Sequence, residues 1–357
     1  MAASHPYRNL RIPDGASFEL RPTAEKGWGM FATEDIQRND VILMEKPLFV
    51  ITNRGPKRSL KRKVRAAVEQ LTPEAKAQFF SLRHNSFESF ATLEAAFLFN
   101  KFTQEGTDHP DDEAMLLLMP RINHSCVPNA VVPSTYVFGD GVDKEASYLV
   151  ANKDISAGTE ITFSYQGVVN FLTRADRRRA LGFDCQCEAC TYDDAHGLYL
   201  SDLRRTLLRG LDHLTNFGIG GEPEDHADPA LRPVIPDDDL YRAAVGFEIP
   251  HSSRYIYYLM MPCLLEAEGV LGDIDADTYR LNLESFAQAF ETPENAEIAR
   301  LATEQDTWVK RLLVACHLWG RQDAGDYHNM VKWLGQFGYD VPSGNPFTTS
   351  PIIEEVD

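Results

Sequence analysis

Apolar, β-branched and aromatic residues concentrate at 18–21 and 41–51, and both stretches predict strands, with Pro22 and Pro47 as breaks. Residues 52–92 then read as helices. Ser59 is placed to cap one over 60–71, and Thr72-Pro73-Glu74 supplies a cap, a first-turn proline and an acid for a second. The Phe-rich run 93–104 predicts a buried helix in which Asn100 is the odd polar member. A dense apolar run at 114–120 leads into a polar turn at 121–130. Residues 131–138 and 147–152 predict a hairpin turning at Gly139-Asp140-Gly141, and 154–158 turns into a strand ending at Tyr165. Thr173-Arg174-Ala175-Asp176 resembles a capping box. Beyond it, 198–217 is amphipathic and 218–239 is a Gly/Pro/acid-rich linker. Residues 240–337 read as four or so helices, one starting at Thr292-Pro293-Glu294. No fixed-period repeat emerges, and Cys263 and Cys316 fall in apolar helical stretches as core residues.

Composition adds limits to this pattern. The chain has 357 residues, 43% hydrophobic and 25% charged, enough for one large or two ordinary globular domains. Its longest apolar stretch, 255–265, is too short to span a bilayer and contains Pro262, and residues 1–15 lack the apolar core of a signal peptide. The expectation is an intracellular protein, nuclear or cytoplasmic, with no membrane contact. The net charge of −18 argues against direct nucleic-acid binding and favours basic partners. Acids cluster at 108–113, 222–228, 237–239 and 354–357 and read first as solvated loops. The basic run 57–63 reads as a solvated helix face, with a nuclear import signal or a phosphate-binding face as rivals.

Three of the six cysteines crowd into residues 185–190, too close for a disulfide framework, and metal binding in a reducing compartment is the better reading. The central turn, Arg121-Ile122-Asn123-His124-Ser125-Cys126-Val127-Pro128-Asn129-Ala130, places amide, imidazole and thiol groups where a strand ends. That composition suits a binding loop better than a core. Singly, its Asn, Ser and His residues are ordinary turn and structural residues.

As a set, Asn123-His124-Ser125-Cys126-x-Pro128-Asn129 resembles the signature of SET-domain protein methyltransferases. Three further motifs fall in that family's order: Lys26-Gly27-Trp28-Gly29-Met30-Phe31-Ala32, Gly158-Thr159-Glu160-Ile161-Thr162-Phe163-Ser164-Tyr165, and Phe183-Asp184-Cys185-Gln186-Cys187-Glu188-Ala189-Cys190. The match covers about half the chain. It is most similar to the SMYD branch, but no cysteine precedes Cys126, so that branch's cysteine-rich MYND zinc module is absent.

The resemblance implies an α+β fold: a SET domain of small β-sheets with a pseudoknot over 1–192, a helical insertion at about 52–104 and a zinc-binding post-SET tail at 183–190. A helical C-terminal domain with an acidic tail would fill 193–357. It implies S-adenosylmethionine as methyl donor, met by Lys26, Gly27, Trp28, Gly29, Asn100, Asn123, His124, Tyr165 and Phe183. Tyr165 is also the catalytic residue, and the methyl acceptor is a lysine side chain of a basic protein, histone or non-histone. Cys185, Cys187 and Cys190 give three soft ligands where tetrahedral zinc takes four. Cys126 is the cysteine left near a motif, and the family makes the same assignment. With four protein ligands the zinc is structural, and the arginines at 177–179 are either solvated or placed to offset thiolate charge. The rival reading is a catalytically inactive SET-shaped interaction protein. Separately, Glu354-Glu355-Val356-Asp357 resembles the tail by which heat-shock chaperones dock in tetratricopeptide co-chaperones, with an acidic unstructured end as the plainer reading.

Overall fold

The computed structural model describes residues 5–23, 26–52, 59–84, 88–103, 112–133, 143, 145–192, 194–217, 254–272, 276–277, 279–281, 304–319, 326–336 and 338–339. The turn expected at 139–141, the linker at 218–239, the helix start at 292–294 and the acidic tail lie outside these residues, as do Lys57 and Arg58 of the basic run. The chain divides into two compact units. One gathers Met1–Gly167 with Cys185–Cys187 and Gly272–Ile274; the other holds Val168–Asp184, Glu188–Leu271 and Asp275–Asp357.

In the first unit, β1 (Phe18–Pro22) and β2 (Trp28–Ala32) pair antiparallel, Phe18 facing Ala32 and Pro22 facing Trp28. Gly27 takes φ +81° in the turn between them, a left-handed conformation that favours glycine. The second edge of β2 takes β12 (Glu160–Phe163) antiparallel. The far edge of β12 takes β9 (Asn123–His124) in parallel, giving the order β1-β2-β12-β9. A second sheet runs β10 (Ala130–Val131), β11 (Ser147–Ala151), β3 (Val41–Glu45), and a third runs β4 (Phe49–Ile51), β8 (Glu113–Met115), β7 (Lys101–Thr103). Met30, Leu43, Leu116, Ile122, Leu149 and Ile161 form the core shared by the first two sheets.

The strand at 41–51 divides at the expected break, Lys46-Pro47, into β3 and β4. Two other expected elements change shape. The predicted strand to Tyr165 ends at Phe163. The helix expected over 93–104 stops at Asn100 as α3 (Leu93–Asn100), because residues 101–103 pair with β8, Lys101 facing Met115. A Phe-rich segment fits either state, and the available strand edge decides.

Helices α1 (Leu60–Gln70) and α2 (Pro73–Phe80) occupy the insertion, followed by the short hairpin β5 (Arg83–His84) and β6 (Glu88–Ser89). Val64 and Val68, one turn apart, bury against Phe79, Phe97 and Met115 in a separate apolar cluster. Thr72 caps α2 as expected, accepting from the Ala75 N–H, whereas Ser59 makes no side-chain cap at α1. Lys61, Arg62 and Lys63 lie on the same helix as the buried valines, and Lys63 Nζ returns to the Thr52 carbonyl at 2.7 Å.

Two charged side chains fix the approach to the central loop. The Glu45 carboxylate accepts backbone N–H groups from Leu117, Leu118 and Met119 at 2.6, 2.9 and 2.9 Å. Burial pushes this carboxyl up while the three N–H groups and Arg121 pull it down. Arg121 ends a 3₁₀ turn (Met119–Arg121), is fully desolvated, and donates to the Tyr7 hydroxyl and to Asn100 Oδ1. Its guanidinium also lies 4.7 Å from the Tyr7 ring centroid.

Every element of the second unit among the described residues is helical. In α4 (Arg174–Leu181) Thr173 accepts from the Asp176 N–H and Gly182 closes the helix at φ +74°. α5 (Ala195–Phe217) packs on α6 (Arg254–Ala267), α6 on α7 (Trp308–Trp319), and α7 on α8 (Asp326–Gln336). Pro262 sits inside α6 rather than ending it. Cys263 and Cys316 are buried, as the apolar pattern predicts. Glu268, buried, accepts from Ser201 Oγ, Arg204 Nε and Arg205 Nε at 2.7, 2.5 and 2.8 Å. Among the described residues no helix is long and apolar enough to cross a membrane.

Glu45→Ala strands three N–H groups and should lower stability by about 3 kcal/mol, while Glu45→Gln, which keeps one acceptor, should lose about half of that. Urea denaturation of both variants checks the order; equal losses would show that the carboxylate is not the cap.

Candidate functional site

The loop from Arg121 to Ala130 grips β12 at several points. Asn123 pairs with Thr162 and His124 with Phe163 in the parallel ladder, and the Ser125 N–H donates to the Phe163 carbonyl at 3.1 Å. Asn129 completes the grip with its side chain: Nδ2 donates to the Glu160 carbonyl at 2.9 Å and Oδ1 accepts the Thr162 N–H at 2.8 Å. An asparagine amide here does the work of a strand residue. The Ser125 hydroxyl accepts from the Val127 N–H at 3.0 Å and holds the turn in between.

This grip brings Asn123, His124 and Tyr165 together. The Tyr165 N–H donates to His124 Nδ1 at 3.1 Å, so that nitrogen carries no proton. A neutral His124 therefore carries its proton on Nε2, 3.2 Å from Cys126 Sγ, where it donates to the sulfur. The Tyr165 hydroxyl donates to the Ile122 carbonyl at 3.2 Å, and its ring meets those of His124 and Phe163 at 5.2 and 5.3 Å. Tyr165 is 46% exposed, yet burial around it still pushes the phenol up, against the pull of Arg121 and of the His124 contact.

At the turn before β2 and on its first residues, Lys26, Trp28 and Gly29 meet Glu160 or Asn123. Asn123 Nδ2 donates to the Trp28 carbonyl at 3.1 Å and to Glu160 Oε1 at 2.7 Å, while Lys26 Nζ donates to Glu160 Oε2 at 2.9 Å. The Trp28 ring is committed to packing, stacked on His5 at 4.6 Å with Tyr7 at its edge, so its backbone alone faces the loop. The two glycines have different reasons. Gly27 needs its positive φ, whereas a Cβ on Gly29 would lie 2.7 Å from Glu160 Oε1 and 2.9 Å from Asn123 Nδ2. The space at Gly29 is filled by a protein carboxylate–amide pair.

Asn100 is buried with both ends engaged: Nδ2 donates to the Ala96 carbonyl at 2.6 Å, and Oδ1 accepts from Arg121. Phe183 follows the Gly182 cap in the second unit and is 42% exposed.

The four cysteines come together. The sulfurs of Cys126, Cys185, Cys187 and Cys190 all lie within 4.8 Å of one another, and all but Cys185 are buried. Ligands about 2.3 Å from a tetrahedral centre stand roughly 3.8 Å apart, so this spacing is of the right scale for one metal ion. The donors around the set fit thiolates. Arg177, fully buried, donates to the Leu172 and Ala189 carbonyls at 2.9 and 3.1 Å and to Cys190 Sγ at 3.4 Å, while His124 serves Cys126. Of the three consecutive arginines only Arg177 has this place; Arg178 pairs with Asp184 and Arg179 with Asp176.

Sequence reasoning singled out neither Glu160 nor the anchoring role of Arg121. The signal for Glu160 was its position: an acid opening a β-strand inside a motif, with no cation near it in the chain. Gly29→Ala should displace the Asn123–Glu160 pair while costing stability only about 1 kcal/mol, since the crowded atoms are side-chain ends. A shifted Asn123 side-chain amide resonance with a melting point lowered by a few degrees is the expected outcome; an unchanged resonance would refute the contact.

Comparison with known proteins agrees with this geometry. Residues 27–166 match the SET domain family. A SET domain-containing protein of Acanthamoeba polyphaga mimivirus is 27% identical over 201 residues, 48% of this chain and 76% of its own. A histone-lysine N-methyltransferase of Schizosaccharomyces pombe is 27% identical over 199 residues, 55% of this chain and 57% of its own. A methyltransferase of Gibberella zeae is 36% identical over 110 residues, 30% of this chain but 14% of its own length. Among solved structures, a candidate histone methyltransferase of Plasmodium falciparum covers 43% of this chain and 95% of its own at 17% identity and a TM-score of 0.25, too distant to add to the fold described above. The chain is thus similar over residues 27–166 to the SET domain family, and proteins named as methyltransferases are among its relatives.

Proposed function

We propose that this chain transfers a methyl group from S-adenosylmethionine to the side-chain amine of a lysine in a protein, as a SMYD-like SET enzyme without a MYND module. The observation that carries this reading is the gathering of Asn123, His124 and Tyr165 where the central loop crosses β12. Lys26 and the backbone of Gly27, Trp28 and Gly29 would hold the donor together with Asn123 and the His124 backbone. Phe183 is assigned to the donor by resemblance. Asn100 enters through Arg121, since its own polar atoms are already engaged.

The donor supplies a methyl group on a positively charged sulfur. The lysine lone pair forms the new N–C bond as the C–S bond breaks, and the departing electron pair stays on sulfur. Only about 0.04% of an unperturbed lysine is neutral at pH 7, so a desolvated channel beside a sulfonium has to lower its pKa. Tyr165 suits the task of orientation. Its hydroxyl proton is directed at the Ile122 carbonyl, and its oxygen is the group that would accept an amine N–H. A phenol is protonated at neutral pH and burial pushes this one further up, so it positions the amine rather than acting as a base. Most of the acceleration would come from alignment and exclusion of water. The charge of −18 favours a basic acceptor, histone or otherwise.

Cys126, Cys185, Cys187 and Cys190 would hold one structural zinc ion. Four protein ligands leave no position for an activated water, and four thiolates on Zn²⁺ carry a net −2 that the Arg177 and His124 N–H groups offset.

Titration of S-adenosylmethionine into zinc-loaded protein should give binding that Asn123→Ala weakens by about tenfold or more, the scale of a lost hydrogen bond to a charged group. No binding to the folded, zinc-replete wild type would move the reading to an interaction protein. Native mass spectrometry should find one zinc per chain. Cys187→Ser should lose it, and a strong chelator should lower the melting temperature of the wild type but not of that variant.

A further inference from the structure

Glu160 sits at the centre of the polar groups on β2, β9 and β12, and its two oxygens have different partners. Oε2 accepts from Lys26 Nζ at 2.9 Å and Oε1 from Asn123 Nδ2 at 2.7 Å, with the carboxylate largely withdrawn from solvent at 19% side-chain exposure. Asn123 Nδ2 spends its second N–H on the Trp28 carbonyl at 3.1 Å. Both partners of that nitrogen are acceptors only, so chemistry fixes the orientation of the amide. The NH₂ group must face Glu160 and Trp28. Asn123 Oδ1 is thereby turned away from them, an acceptor directed by its neighbours rather than by its own rotamer preference. Gly29 independently marks the place, because the missing Cβ is what lets the carboxylate and amide lie against β2.

We infer that Glu160 is a positioning and specificity-determining residue for the amino-acid end of the methyl donor. This rests on the donor-binding reading given above. An α-amino acid presents an ammonium and a carboxylate on one carbon. Asn123 Oδ1 and the Glu160 carboxylate are acceptors for the ammonium, and Lys26 Nζ is a donor for the carboxylate. Glu160 holds both receptor groups in place at once: it fixes the direction of the Asn123 amide and restrains the lysine. A neutral amide at this position has one acceptor oxygen where the carboxylate has two, so its NH₂ faces either Lys26 Nζ or Asn123 Nδ2, a donor against a donor. Either the lysine loses its restraint or the Asn123 amide is driven to turn over, setting an N–H where the acceptor faced the ammonium. The loss falls on ligands that carry the amino-acid end and spares ligands that lack it.

The test compares two probes that share adenosine and a thioether. S-adenosylhomocysteine carries the amino-acid end and 5′-methylthioadenosine does not. Titrated into zinc-loaded full-length protein, the wild type should prefer the first. Glu160→Gln, nearly isosteric but neutral, should weaken S-adenosylhomocysteine by about tenfold or more and 5′-methylthioadenosine by less than about twofold. Lys26→Gln, at a more exposed position, should shift the same ratio in the same direction and decides the matter if Glu160→Gln does not fold. Equal weakening of both probes, or of neither, overturns the inference. A wild type that binds both probes equally also overturns it while leaving adenosine binding intact. A wild type that binds neither overturns the donor reading, and the role of Glu160 with it.

Discussion

The parallel pairing of β9 with β12 is the constraint on which the rest of the first unit depends. Two residues of ladder are a weak sheet by themselves, and a parallel neighbour cannot be reached by a tight turn. The intervening chain has to travel through β10 and β11 before it returns as β12. What makes the short contact hold is the supplementary bonding: the Ser125 N–H on one side and the two atoms of the Asn129 amide on the other. Once β12 is seated, Glu160 is delivered to Lys26 and Asn123, and Tyr165 to His124 and Ile122. The crossing thus brings Asn123, His124, Glu160 and Tyr165 together, and the β1–β2 hairpin adds Lys26 and Trp28 to them.

Buried charge is handled in the same manner throughout the described residues. Glu45 is hydrogen-bonded by three backbone N–H groups, Arg121 by Tyr7 and Asn100, Arg177 by two carbonyls and a sulfur, and Glu268 by two arginines and a serine. Such groups gain little net stability, since desolvation offsets most of the attraction. Their effect is on choice of structure: a misplaced partner leaves a buried charge exposed to several kcal/mol of penalty, so alternative registers are excluded. Those around the central loop lock the loop rather than the hydrophobic core.

What the sequence made legible was local. The caps at Thr72 and Thr173 and the break at Pro47 depend on groups within a few positions of one another, and each stands as expected. The four cysteines were also legible, because their spacing and softness restrict them to few partners. Failures came where distant chain decides. Residues 101–103 look like the continuation of a Phe-rich helix until β8 offers a strand edge, and Ser59 looks like a cap because the residue type is right while its side chain makes no such bond. Asn100 stood out as polar in an apolar face, but its partner Arg121 was chosen by the fold and not by any periodicity.

Gly29 illustrates how far residue type underdetermines reason. A glycine beside a turn invites the idea of a ligand approaching bare backbone, and for Gly27 the backbone conformation alone is sufficient cause. At Gly29 the cause is steric and internal: Glu160 and Asn123 need the volume. The same absence of a side chain thus lets two protein groups pack against β2. The geometry of the candidate site is set by the contacts among its own residues. For that reason the acidic residue that touches both an expected lysine and an expected asparagine carries more information about the site than either of them does alone.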